Sequence, residues 1–158
     1  MKETLDHLSR TEQASIRRIV RLIHKATPRS EMIILFGSNV DTNQKGDALS
    51  APSAELRTGS GVSKGEYDIL VVVKNKEMED KILKNIMPTL VNTIQKDINR
   101  KNIIAPVNIQ VESIDFVNEK LAENDPVYSE ITETGIILFA TERFELGVLP
   151  PVAATKPD

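Results

Sequence analysis

The sequence contains no cysteine, which excludes disulfides and thiolate metal centres. Its two histidines, His7 and His24, are not spaced like a zinc motif. No apolar run approaches the roughly 18 residues that a membrane-spanning helix requires. The N-terminal residues include Glu3 and Asp6 where a signal peptide would carry a hydrophobic core. A cytoplasmic protein with no membrane partner is therefore expected. A strong positive balance is also missing. The net charge is −3, which argues against broad nonspecific binding to nucleic acid and leaves room only for a local basic patch.

What is present fits one globular domain: 158 residues, 40% of them hydrophobic, enough to bury a core. Ser9-Arg10-Thr11-Glu12 forms a capping box ahead of a helix with Ile16, Ile19, Val20 and Ile23 on one face. Arg17, Arg18, Arg21 and Lys25 fall elsewhere on it, a solvated face in the ordinary reading, and Pro28 lies beyond its end. His24, near that end, is read as a favourable contact with the helix dipole. Met32–Phe36 is too short for a helix and reads as a buried strand. Residues 39–65 hold four of the seven glycines and read as a short helix followed, at about 46–65, by a flexible loop.

Tyr67–Val73 is the strongest strand signal, rich in β-branched residues. Asn75 can cap a helix running to about Ile98, which Pro88 should kink or split. Val107, Ile109 and Val111 alternate with Asn108, Gln110 and Glu112, the pattern of a half-buried strand. Two short helices are expected next, one capped by Ser113 and one around Val127–Thr132, and Gly135 precedes a last strand, Ile136–Phe139. Residues 1–146 thus form the domain, and 147–158, with Pro150, Pro151 and Pro157, form a tail or linker. Periodicity alone gives α/β or α+β.

Two motifs carry chemistry. Leu35-Phe36-Gly37-Ser38 runs a strand into a turn whose backbone N–H groups can receive phosphate. Glu66-Tyr67-Asp68-Ile69-Leu70 opens the next strand with two carboxylates that alternate onto one face. Paired carboxylates attract a divalent cation, and magnesium suits oxygen ligands shared with substrate phosphates.

In that combination and order the chain resembles the minimal nucleotidyltransferases of the DNA polymerase β superfamily, over roughly residues 10–140. The segments Val107–Asn118 and Gly135–Phe139 are similar, less specifically, to the bacterial branch associated with all-helical HEPN domains. The resemblance implies a small mixed sheet flanked by helices. It implies that Glu66 and Asp68 bind Mg2+, with Mn2+ as the alternative, and that Gly37 and Ser38 bind the triphosphate, ATP being the first expectation among NTPs.

Three departures accompany it. The leading carboxylate is Glu66 where the family usually has Asp. The position of the expected third carboxylate falls on Asn108, which cannot act as a base. The 27 residues between Ser38 and Glu66 exceed the family's usual short spacer. Two functions are consistent with this. One is transfer of an NMP group from an NTP to a hydroxyl acceptor, with Glu66, Asp68 and Asn108 at the catalytic positions. The other is a catalytically weak or inactive module acting as the antitoxin or regulatory partner of a HEPN-type RNase, separate or fused beyond Gly147. RNA is a conceivable acceptor that the net charge does not indicate.

Overall fold

The computed structural model describes residues 4–37 and 66–141. Ser38, the helix and loop expected between it and Glu66, and the tail at 147–158 lie outside the described residues. The fold is mixed α+β: a four-stranded mixed sheet with helices on both faces.

Helix α1 spans Arg10–Ala26 and starts where the capping box predicts. The Glu12 N–H donates to Ser9 Oγ at 3.1 Å, and the Ser9 N–H donates to Glu12 Oε1 at 3.1 Å. Two of the helix's orphan N-terminal donors or their neighbours are thereby satisfied reciprocally. Ile16, Ile19 and Ile23 are fully buried. Strand β1 (Met32–Phe36) follows, then β2 (Tyr67–Val73), which pairs with it antiparallel.

The helical region after Asn75 divides into α2 (Lys76–Lys81), a π-helical turn (Ile82–Ile86) and α3 (Met87–Asn99). The split expected from Pro88 occurs, and it takes π form. Proline has no N–H for a carbonyl four residues back and its ring crowds that carbonyl. The turn widens ahead of it, so that the Met87 N–H reaches five residues back to the Ile82 carbonyl. Pro88 then sits in the first turn of α3, where its missing N–H costs no hydrogen bond within that helix.

Strand β3 (Val107–Ser113) returns parallel to β2, α4 (Ile114–Ala122) and α5 (Pro126–Thr134) follow, and β4 (Ile136–Ala140) pairs antiparallel with β1. The strand order is β3-β2-β1-β4. One face carries Ile33, Leu35, Tyr67, Ile69, Val71 and Val73 against α1 and α3. The other carries Met32, Ile34, Leu70 and Val72 against α4 and α5. These two short helices pack over one part of their face. The corner around Asp68, Asn108 and Gln110 stays accessible, the last two side chains being exposed.

Two polar contacts revise the solvated reading of α1. Arg18 Nε donates to Asp97 Oδ2 at 2.6 Å and Nη2 to Oδ1 at 3.2 Å, clamping α1 to the end of α3. Asp97 is buried, and Asn102 Nδ2 also donates to its carboxylate, at 3.2 Å. His24 does lie in the last turn of α1, and its ring also packs on Phe139 with centroids 4.4 Å apart.

The Arg18 hydrogen bond holds the Asp97 carboxyl below the usual range, against the opposing effect of burial. A depressed folded-state pKa gives stability that is present above the unfolded value and is lost as pH falls through the folded one. Asp97→Asn should therefore destabilise the protein at neutral pH, with the deficit shrinking once the pH drops below about 4. Urea denaturation of both proteins between pH 3 and 7 checks this, and a deficit independent of pH would contradict it.

Candidate functional site

Strand register assembles the site. Phe36 is opposite Asp68 across the antiparallel β1–β2 pair, and Asp68 is level with Asn108 across the parallel β2–β3 pair. Three neighbouring strands therefore bring the end of β1 and the starts of β2 and β3 to one place. Asp68 shares its face with Leu70 and Val72, which are buried, but it lies beyond the cover of α4 and is half-buried.

Gly37 follows Phe36 with φ of +89°, a backbone conformation that side chains rarely adopt. A Cβ built there would lie 2.5 Å from Asp68 Oδ2. Glycine thus does two things: it makes the turn out of β1, and it leaves room for the Asp68 carboxylate against the backbone. On the other side, Asn108 Nδ2 donates to Asp68 Oδ1 at 3.3 Å. The carboxylate is held between a glycine and an amide.

Its electrostatics are unfavourable. Burial pushes the Asp68 carboxyl above its usual range; the Asn108 hydrogen bond opposes this and the nearby charge of Glu66 adds to it. Glu66, just before β2, is exposed and within electrostatic reach of Asp68. A divalent cation would relieve both the burial cost and the like-charge repulsion. Two carboxylates match the usual share of protein ligands around magnesium when substrate phosphates complete the shell. Among the described residues there is no group of three or more potential metal ligands, so a site here needs ligands from elsewhere, such as phosphate oxygens or water.

Gly37, Glu66, Asp68 and Asn108 are thus brought to one corner of the sheet, and Ser38 lies outside the described residues. Glu112, on the same face of β3 as Asn108, stands level with Val72, four positions from Asp68. It belongs to a different polar group. Its carboxyl is raised by burial and by Glu79, with Lys76 opposing. Glu79 itself is buried and accepts from the Ser113 N–H at 3.1 Å and from Lys76 Nζ at 3.0 Å. The Tyr128 hydroxyl, raised to about 12 by burial and then by Glu112, Asp125 and Glu79, faces that acidic group. Sequence reasoning missed it because Glu79 and Ser113 are 34 residues apart and share no motif. Tyr67 is buried in the sheet at 1% exposure. Its hydroxyl is raised to about 12 by burial and by Glu12, with Ser15 opposing through a hydrogen bond.

No family model matches the chain, and no curated protein matches it either.

Two outcomes follow from this geometry. A carboxyl with a raised folded-state pKa costs stability when ionised; the cost is absent well below pH 3.8 and grows as the pH rises through the folded value. Asp68→Asn should raise the thermal midpoint of the ligand-free protein at pH 7, with little difference at pH 3. A lowered midpoint at pH 7 would contradict the assignment. Gly37→Ala should cost about 1–3 kcal/mol through its backbone angle alone, before the clash with Asp68 is counted, as read by urea denaturation.

Proposed function

We propose that this corner is a nucleotide site of the nucleotidyltransferase type, acting with magnesium to move an NMP group from an NTP to a hydroxyl acceptor. The observation that carries the reading is the alignment of Phe36, Asp68 and Asn108 on three adjacent strands, with Gly37 directly after Phe36 and Glu66 beside Asp68. The resemblance implies that these positions lie together, and their juxtaposition supports the reading. A mixed sheet flanked by helices is compatible with that fold class.

In this reading Glu66 and Asp68 hold the cation, and the backbone N–H groups of Gly37 and Ser38 receive the β- and γ-phosphates. The bound cation supplies neutralisation of phosphate charge and orientation of the triphosphate. The acceptor oxygen attacks the α-phosphorus, the bond from that phosphorus to the bridging oxygen breaks, and pyrophosphate departs. The acceptor proton passes to solvent, since Asn108 offers an amide and no base at the third position. ATP is the first triphosphate to test, and a protein tyrosine, an RNA end or a small alcohol are the acceptors to test.

A second reading is favoured by the same Asn108. Its amide donates to Asp68 Oδ1 where the family's pattern would place a third carboxylate. A site so arranged can bind a nucleotide without turning it over, as expected of a regulatory or antitoxin partner of a HEPN-type RNase.

Calorimetric titration with each NTP, with and without Mg2+, tests the shared part. Magnesium-linked binding is expected, and Asp68→Asn should weaken it at least tenfold, or about 1.4 kcal/mol. Absence of magnesium-linked binding for every NTP would overturn both readings. Asn108→Asp separates them. If the protein is a transferase, labelled NMP transfer is measurable in the wild type and rises with Asn108→Asp. If it is a binding module, the wild type binds nucleotide and transfers none.

A further inference from the structure

Helix α1 carries five cations, Arg10, Arg17, Arg18, Arg21 and Lys25, and one carboxylate, Glu12, which is buried in its capping box. The chain as a whole is at −3, so positive charge is concentrated here against the overall balance. Arg18 is committed to Asp97. Arg10, Arg17, Arg21 and Lys25 are exposed. At about 100° per residue they fall within roughly 80° of arc, a stripe roughly 22 Å long. Arg17 makes a 3.0 Å hydrogen bond with Gln13, and among the described residues no carboxylate pairs with any of the four.

Directly beside the stripe is a groove of about 260 Å³ lined by Leu5, Ile16, Arg17, Val20, Ile137 and Leu138. Arg17 belongs to both features. Ile137 and Leu138 come from β4, the outermost strand on this side of the sheet. Apolar lining flanked by a row of guanidinium groups fits a ligand with aliphatic side chains on one face and carboxylates along its edge. Nucleic acid fits less well. The groove offers no aromatic platform for base stacking, and the net charge of the chain opposes a polyanion.

We infer that the groove and the α1 stripe form a docking surface for an acidic amphipathic helix of a protein partner, seated with its apolar face on Leu5, Val20 and Leu138 and its carboxylates on Arg17 and Arg21. Helix-in-groove recognition uses this combination of anchors and flanking charge. Leu5, Ile16, Val20 and Leu138 belong to the sheet face packed by α1 and Ile137 to the other, so the groove lies along the β4 edge, two strands away from Asp68 on β2. A docked helix therefore leaves the nucleotide site open, and the inference does not depend on what that site does.

The test is fluorescence anisotropy with the whole chain and a labelled synthetic helix of about 20 residues, Leu at positions i, i+3, i+4 and i+7 and Glu along the flanks. Its controls are the same composition scrambled, a Glu-to-Gln version, and a single-stranded RNA of equal charge. The patterned peptide should bind at least tenfold more tightly than any control. Arg17→Glu with Arg21→Glu should weaken it at least tenfold, and Leu5→Ser should weaken it with no change in charge. Thermal melting checks that these variants fold; Arg10→Glu with Lys25→Glu is the second charge reversal if the first does not. No binding, equal binding of the scrambled peptide, preference for RNA, or indifference to charge reversal would each overturn the proposal.

Discussion

The structure depends on the register of three strands. Phe36 beside Asp68 beside Asn108 fixes which residues face α1 and α3 and which face α4 and α5. Side chains alternate along a strand, so a slip of one residue would send Asp68 into the apolar layer now filled by Tyr67 and Ile69 and expose those two in its place. Burial on both faces of β2, where five consecutive residues from Ile69 to Val73 are at 1% exposure or less, makes such a slip prohibitively costly. Placement of the Asp68 carboxylate is thus a by-product of hydrophobic packing.

Packing also explains why the Asp68 carboxylate is unfavourably placed in the ligand-free protein. The same sheet that positions Asp68 removes part of its solvent, and Glu66 adds negative charge. Gly37 permits the close approach, at a backbone angle other residues resist. Asn108 supplies a partial remedy through a single 3.3 Å hydrogen bond. The ligand-free protein thus carries an unfavourably placed carboxylate, as functional sites do and as structural polar networks also can.

Much of the architecture was legible in the sequence. The capping box at Ser9, the apolar runs at Met32 and Tyr67, and the alternation from Val107 each use a local rule, and each element forms. Pro88 announced a break, but its π form depends on how the turn before it rearranges. Long-range polar contacts were not legible. Arg18 looked like one more solvated arginine because its partner Asp97 is 79 residues away. Of the candidate site, strand alternation led to the expectation that Glu66 and Asp68 share one face, and the resemblance pointed to Asn108, which the strand pairing sets level with Asp68. The approach of Gly37 to Asp68 and the Asn108 hydrogen bond required strand pairing in three dimensions.

The central proposal is that Glu66 and Asp68 hold a divalent cation at the corner where Gly37 and Asn108 meet Asp68. Paramagnetic broadening by Mn2+ in the presence of a non-hydrolysable nucleoside triphosphate tests it most directly, read on assigned backbone amide resonances. Broadening should be greatest at Gly37, Tyr67, Asp68 and Asn108, and Mg2+ in excess should reverse it. Broadening centred instead on Glu79, Glu112 and Asp125, or none at substoichiometric Mn2+, would contradict the account.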